Sequence, residues 1–328
     1  TIRLEGADWN DGLDMASDKG ESVAFTHAYA WNLEELASLL AGLLARGIKT
    51  VSLFKEMNML IEFCASVKDK QEVLKRYFRC IEQGISGETV QVPARKLISD
   101  LKKKAQSMKE ILRTSQWVGT KSKDGFFNGY YDNKSRRVEG EHADGVRMTL
   151  TGQVFAIMGG VAADEQALAV IRSVRKYLMD QDSGNVRLNT DFKTDQFDLG
   201  RAFSFAYGEK ENGAFFSHMA VMYAYGLYKR GYAREGYRVL QGIYRMAAGP
   251  CAGIYPCVPE YFNDEKRGRY CYLTGSASWY ILTLLTQAFG VRGQAGDLLI
   301  QPRLVQEQFD NQGNACVSAF FADKKISV

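Results

Sequence analysis

The sequence predicts a mainly α-helical fold, most of an α/α barrel joined to a β cap, with a β-hairpin excursion in its middle. Long stretches with apolar residues at helical spacing recur in adjacent pairs. Paired aromatics with Asp-Gly and Asp-Asn dipeptides interrupt them between Trp117 and Glu139, and from Asp297 onward the apolar period falls to two. At 328 residues, 46% hydrophobic and 24% charged, the chain can bury a real core, either as one large helical domain or as roughly two domains.

The elements follow in order. After a Gly/Asp-rich loop, Gly6 to Gly20, Asp18-x-x-Glu21 reads as a capping box opening a helix from Glu21 to Arg46, with Gly47 as its C-cap. Lys49 to Gln83 reads as a second long helix, with Leu53, Met57, Leu60, Ile61 and Cys64 on one side. Pro93 stands where a first-turn proline opens a third helix, running through Arg113. Its Lys102, Lys103, Lys104, Lys109 and Arg113 read as a solvated face, because acids and apolar positions interrupt the run; a basic patch is the alternative. Asp124-Gly125 and Asp132-Asn133, among Phe126, Phe127, Tyr130 and Tyr131, have the grammar of a β-hairpin. Thr149 to Ala162 and Asp164 to Met179 form a helix pair, and a loop covers Asp182 to Asn212. Ala214 to Lys229 with Ala233 to Met246 form another pair. Pro250, Pro256 and Pro259 mark an irregular insert, Thr274 to Phe289 is the last helix, and Leu298, Ile300, Val317, Ala319 and Phe321 alternate in the β region. No fixed-period repeat indicates a solenoid.

Composition excludes several classes. With 42 Lys+Arg against 38 Asp+Glu, a net +4 argues for neither nucleic acid nor an anionic membrane as partner. The longest apolar stretch, Leu36 to Leu44, is far short of the ~20 residues of a membrane span. Cys64, Cys80, Cys251, Cys257, Cys271 and Cys316 are scattered, with no C-x-x-C pair or companion His, so we expect a reduced, cytoplasmic chain without a metal. The start Thr1-Ile2-Arg3-Leu4-Glu5, lacking an initiator Met and a signal layout, and the uncapped stretch Cys316 to Val328 read as a piece of a longer protein.

The densest polar cluster is Gly6-Ala7-Asp8-Trp9-Asn10-Asp11-Gly12-Leu13-Asp14, which reads either as turn chemistry or as a loop placing an acid over a sugar on a Trp platform. Lys210-Glu211-Asn212-Gly213 precedes His218, one of three histidines with His27 and His142; alone, it is a structural residue or a ligand. Tyr272-Leu273-Thr274-Gly275-Ser276-Ala277-Ser278-Trp279 opens the last helix. Its small residues leave backbone N–H groups open to an anion such as phosphate, and Thr274 or Ser276 can also cap the helix.

Together, in this order, the three motifs resemble the cellobiose-phosphorylase-like family of inverting β-glycan phosphorylases. Gln153 to Ala162 followed by Ser173-Val174, and Gly296-Asp297-Leu298-Leu299-Ile300-Gln301-Pro302, extend the resemblance over nearly the whole chain. It implies an (α/α) six-hairpin barrel, of which residues 1–295 are the later part of the catalytic domain and 296–328 the start of a C-terminal β region. It further implies Asp11 as general acid, and Asp8, Trp9, Lys210, Glu211 and Tyr255 about the substrate. His218, Thr274 and Gly275 would hold phosphate, which is a co-substrate in place of any cofactor. A homodimer, or association with the rest of the barrel, is implied as well. Tyr255-Pro256-Cys257-Val258 departs from the Gln or Glu that many relatives carry before Pro-Tyr-Val.

Phosphate is already an anionic nucleophile, so a phosphorylase needs one carboxylic acid, whereas an inverting hydrolase also needs a base for water. For Asp11 to donate a proton near neutral pH, burial against Trp9 or a neighbouring negative charge such as Asp8 or phosphate must favour its neutral form. The expected activity is reversible phosphorolysis of a β-linked gluco-oligosaccharide to α-D-glucose 1-phosphate. A hydrolase with Glu211 or Glu260 as base, and a non-catalytic glycan-binding chain, are the alternatives. Tyr130, Tyr131 and Tyr270 offer either an acceptor platform or core packing.

Overall fold

The computed structural model describes residues 1–4, 6–64, 66–120, 124–272 and 275–328. Their contacts fall into two units, Thr1–Ala28 with Arg113–Val328, and Tyr29–Leu112.

Helix α1, Val23–Ala45, starts later than its predicted capping box. Glu21 and Ser22 instead pair with Tyr131 and Tyr130 as a short antiparallel strand, and Ser22 Oγ accepts the Phe25 N–H at 2.9 Å. Ser22 therefore satisfies the free helical donor that Asp18 and Glu21 were expected to meet. The far end closes as predicted at Gly47, whose φ of +90° suits glycine, with the Gly47 and Ile48 N–H groups donating to Leu44 and Leu43.

Within Tyr29–Leu112, the expected helix from Lys49 to Gln83 is three elements. Strand Thr50–Phe54 pairs antiparallel with Thr89–Pro93; a 3-10 turn, Lys55–Leu60, and helix α2, Val67–Ile81, follow the first strand. Thr50, Val51 and Phe54 favour a strand once Val90 and Val92 lie opposite, a pairing too distant in sequence for helical periodicity to reveal. Ser66 Oγ caps α2 by accepting the Asp69 N–H, and α2 buries none of its residues. Helix α3, Ala94–Ser115, begins directly after Pro93. Its basic residues are not all solvated: Lys104 pairs with Asp100, and Lys109, 5% exposed, pairs with Glu34.

In the other unit, Trp117–Gly119 pairs with Gly125–Phe127, as the hairpin grammar predicts. Helix α4, Leu150–Met158, is buried on all sides, and α6, Ser217–Lys229, nearly so. By contrast α5, Asp164–Tyr177, and α7, Ala233–Ala248, bury one face each. Helix α6 packs against α4, α7 and α8, Gly275–Thr283, so the buried α4 and α6 lie together between the amphipathic α5 and α7, whereas α8 buries only Ser276 and Thr283 and exposes Ile281 and Leu282. Helix α6 starts at Ser217 rather than Ala214 because Phe215 and Phe216 extend into a strand beside Tyr261–Phe262, itself paired with Gly268–Arg269. Phe215 and Phe262 sit there in a cluster with Met246, Ala247 and Ala252. Beyond α8 and a π-helical turn, Leu284–Ala288, two hairpins follow, Val291–Gln294 with Asp297–Ile300 and Ser318–Phe321 with Lys324–Ser327. The fold is mainly α with small antiparallel sheets, and no helix among the described residues is long and apolar enough to cross a membrane.

Candidate active site

The loop from Asp8 to Asp14 alternates between buried and open side chains. It is closed on itself by Asp8 N–H to Gly12 C=O at 2.7 Å and Asp11 N–H to Asp8 C=O at 3.0 Å. Asp8 and Asn10 are 3% and 1% exposed, whereas the Asp11 side chain is 40% exposed. Asp8 accepts the Trp9 N–H at 2.6 Å and the Ser22 hydroxyl, and burial pushes its carboxyl up to about 6 against those hydrogen bonds. The Tyr130 hydroxyl lies 3.0 Å from Asn10 Oδ1 and 3.4 Å from Asp8 Oδ1. Tyr130 is 1% exposed, so it belongs to the core beneath the loop and is no acceptor platform. Next to it, the buried Glu139 carboxyl accepts the Thr149 N–H at 2.5 Å and the Gly129 N–H; burial raises it to about 8, with Asp8 adding to the shift.

Of the two conditions that would favour a neutral Asp11, burial against Trp9 is not met, since the Asp11 side chain is 40% exposed. Its backbone is left-handed (φ +56°) and its carboxylate pairs with Arg201 at 2.9 Å. Arg201 opens the 3-10 turn Arg201–Ser204, and its N–H donates to Asp14 Oδ1 at 2.9 Å. Gly200 makes this approach possible, since a Cβ there would lie 2.8 Å from both Leu13 N and Asp14 Oδ1.

Trp9 turns the other way and meets the ring of His218, edge to face, at 5.3 Å between centroids. His218 also faces Trp279 at 5.8 Å, and Gly275 is bare beneath it: a Cβ would fall 2.5 Å from His218 Cε1. Burial lowers the His218 pKa, so the imidazole is neutral near pH 7, and its buried Nε2 has no hydrogen-bond partner among the described residues. Thr274, predicted beside Gly275, lies outside the described residues.

The Lys210–Gly213 turn is held from behind. Asn189 Oδ1 accepts the Gly213 N–H at 2.8 Å, and Asn212 Nδ2 donates to Phe205 C=O at 2.8 Å. This presents Lys210 (φ +47°) over the Phe205 ring at 4.6 Å and the Tyr270 ring at 5.8 Å. Burial raises the Glu211 and Glu260 carboxyls; the charge of Asp11 pushes both further up and Lys210 pulls both down, so the four charges share one field. Tyr255, 71% exposed beside the cis Pro256, is not drawn into these contacts. Reading the sequence missed Arg201, Glu139 and Asn189, which carry no local motif, whereas of the two roles it offers Tyr130, core packing is the one the structure shows.

The catalytic-domain profile of the glycosyl hydrolase 94 superfamily matches residues 94–290, more than half of the chain, and the protein belongs to that family. It is 22% identical over 318 residues to the cyclic β-(1,2)-glucan synthase NdvB of Rhizobium meliloti (strain 1021), covering 92% of this chain and 9% of that protein. It is 27% identical over 182 residues to the cellobionic acid phosphorylase of Neurospora crassa, covering 48% of this chain and 22% of that one. The chain thus spans 9% and 22% of the length of these curated relatives. An uncharacterized conserved protein from Thermus thermophilus of known structure aligns with a TM-score of 0.36 at 14% identity, over 67% of this chain and 54% of that one.

Proposed function

We propose that the site performs inverting phosphorolysis: a phosphate oxygen attacks the anomeric carbon of a β-linked gluco-oligosaccharide. The glycosidic C–O bond breaks, and Asp11 gives its proton to the leaving oxygen. The products are α-D-glucose 1-phosphate and the shortened glycan, and the reaction runs in both directions. The observation that carries this reading is the buried His218 Nε2, without a hydrogen-bond partner among the described residues and set between Trp9, Trp279 and the bare Gly275. A neutral imidazole N–H is a donor suited to an oxyanion, and the positive end of a helix dipole such as that at the start of α8 favours one. Trp9 offers an aromatic face to the donor sugar, and Asp8 below it keeps the loop in place rather than touching the glycan. Lys210, Glu211 and Tyr255 line the substrate side in this reading, and Thr274 joins Gly275 in holding phosphate.

Asp11 acts as an acid only once Arg201 lets go of its carboxylate, an exchange open to a guanidinium that is 61% exposed. The reaction needs phosphate as co-substrate and no bound cofactor. The helices α4 to α8 are, in this reading, part of an (α/α) six-hairpin barrel. Release of glucose 1-phosphate from a panel of β-1,2, β-1,3 and β-1,4 gluco-oligosaccharides, with and without inorganic phosphate, tests the proposal. Strictly phosphate-dependent release supports it; phosphate-independent release of glucose contradicts it and points to Glu211 or Glu260 as a hydrolytic base.

A further inference from the structure

Two of the six cysteines meet in space although fourteen positions apart. The strand pair Tyr261–Phe262 and Gly268–Arg269 extends outward through the Glu260 N–H, which donates to Tyr270 C=O at 3.1 Å. Just past that end, the chain turns through Ile254 to Cys257 on one side and runs on into Cys271 and Tyr272 on the other. The Cys257 thiol points across the gap, with Sγ 3.8 Å from Cys271 C=O, and the two thiols are hydrogen-bonding neighbours. Cys271 is exposed and Cys257 half-buried, so both are open to a small reagent. The other four, Cys64, Cys80, Cys251 and Cys316, are free thiols as well.

We propose that Cys257 and Cys271 form an oxidisable dithiol, a modification site at the rim of the candidate active site that closes to a disulfide with a small-molecule disulfide as oxidant. One thiolate attacks a sulfur of the reagent, giving a mixed disulfide and releasing one thiol. The second thiolate then attacks the protein sulfur of that mixed disulfide and releases the second thiol. Two electrons pass from the protein sulfurs to the reagent, and the two cysteine protons end on the released thiols. The Cys257 Sγ already lies 3.8 Å from the Cys271 carbonyl oxygen, and closure must bring the two Cα atoms to the separation of about 4.4–6.8 Å that a disulfide takes.

The bond ties the turn bearing Tyr255 to Cys271 and Tyr272, next to the Tyr270 ring over which Lys210 lies. Burial and the neighbouring Cys257 push the Cys271 thiol up, so closure speeds as pH rises toward the alkaline side. Any effect on turnover rests on the phosphorolysis reading above; the cross-link itself does not.

The full chain, treated with oxidised glutathione, alkylated and digested, reads out both. The expected result is one peptide pair joined through Cys257 and Cys271, about 2 Da lighter than the two reduced peptides, with the other four cysteines alkylated. Neither Cys257→Ser nor Cys271→Ser should give the cross-link. Alkylated or singly glutathionylated Cys257 and Cys271 after oxidation, with no cross-link, overturns the proposal. In parallel, phosphate-dependent release should fall at least fivefold on oxidation of the wild type, recover with dithiothreitol, and stay unchanged relative to its own reduced form in either serine variant. A cross-link in a chain whose reduced form shows no phosphate-dependent release sinks the phosphorolysis reading and leaves the dithiol standing. A cross-link without loss of activity removes the rim effect from the proposal.

Discussion

The two units of this chain differ in how deeply they bury their aromatic residues. In the unit holding α4 to α8, a set of aromatic rings is fully inside, with Phe215, Phe262 and Tyr130 at most 1% exposed, and Asp8 of the candidate loop is buried above Tyr130. In Tyr29–Leu112, Phe54, Phe63, Val67 and Phe78 are 42% to 73% exposed, α2 buries nothing, and none of the candidate site residues occurs. The difference teaches where stability and chemistry reside: a site that must hold an acid, a sugar face and an anion within one field needs a rigid backing, and only the first unit supplies one.

Truncation sharpens the contrast most strongly. Phe262→Ala removes a fully buried ring from the cluster behind Phe215 and should cost about 3–5 kcal/mol in denaturant unfolding of the full chain. A cost below about 1 kcal/mol would mean that the cluster is not the backing described.

Next in size is a pH effect. Native Glu139 keeps its proton up to about 8, while the unfolded chain loses it near the ordinary carboxylate value of 4.5. Between those values the native state binds more protons, so stability falls as pH rises. Asp8 acts in the same direction from 3.8 to about 6. Buried His27 opposes them: lowered to about 4, it stays neutral while the unfolded residue charges below 6.5, so its contribution rises with pH over that interval. Above 6.5 only Glu139 remains of these three, and stability should drop by about 1.4 kcal/mol per pH unit toward 8. Urea titrations at several pH values check this; Glu139→Gln should flatten the slope, and an unchanged slope would remove Glu139 from the account.

Smaller again is Tyr130→Phe, which removes the hydroxyl between Asn10 and Asp8 and should cost about 1 kcal/mol. Amide exchange at Asp8 and Asp11 should speed several-fold while α4 amides are unaffected; uniform or absent change would show that Tyr130 does not hold the loop. Smallest is Phe78→Ala, 60% exposed, expected within about 0.5 kcal/mol of the wild type. A cost like that of Phe262→Ala would break the comparison between the units.

Much of this was legible in the sequence, and the pattern of misses is physical. Helices with local signals were found nearly in place: Gly47 closed α1, Pro93 preceded α3, and α5 and α7 showed their one-sided periodicity. What failed depended on partners far along the chain. Thr50–Phe54 becomes a strand only beside Thr89–Pro93, Ser22 replaces the Asp18 cap because Tyr130 pairs with it, and Phe215 leaves α6 for Tyr261–Phe262. At the candidate site, motif and resemblance name Asp8, Trp9, Asp11, Lys210, Glu211, His218 and Gly275, and the structure shows the contacts each of the loop residues makes. Arg201 and Glu139 beside them carry no pattern of their own, while Tyr130 belongs to the aromatic hairpin pattern and takes the core role that the sequence offers it. The six cysteines are free, in keeping with a reduced chain, while the approach of Cys257 to Cys271 carries no signal in the sequence because fourteen positions separate them.

The most direct test of the central claim compares wild type with Asp11→Asn on two substrates, a β-linked gluco-oligosaccharide and an aryl β-glucoside whose leaving group needs no proton. Both are assayed for phosphate-dependent glucose 1-phosphate. A general acid at Asp11 predicts a loss of about 10²–10⁴-fold on the oligosaccharide and a much smaller loss on the aryl glucoside. Equal losses on both, or none on the oligosaccharide, would contradict it.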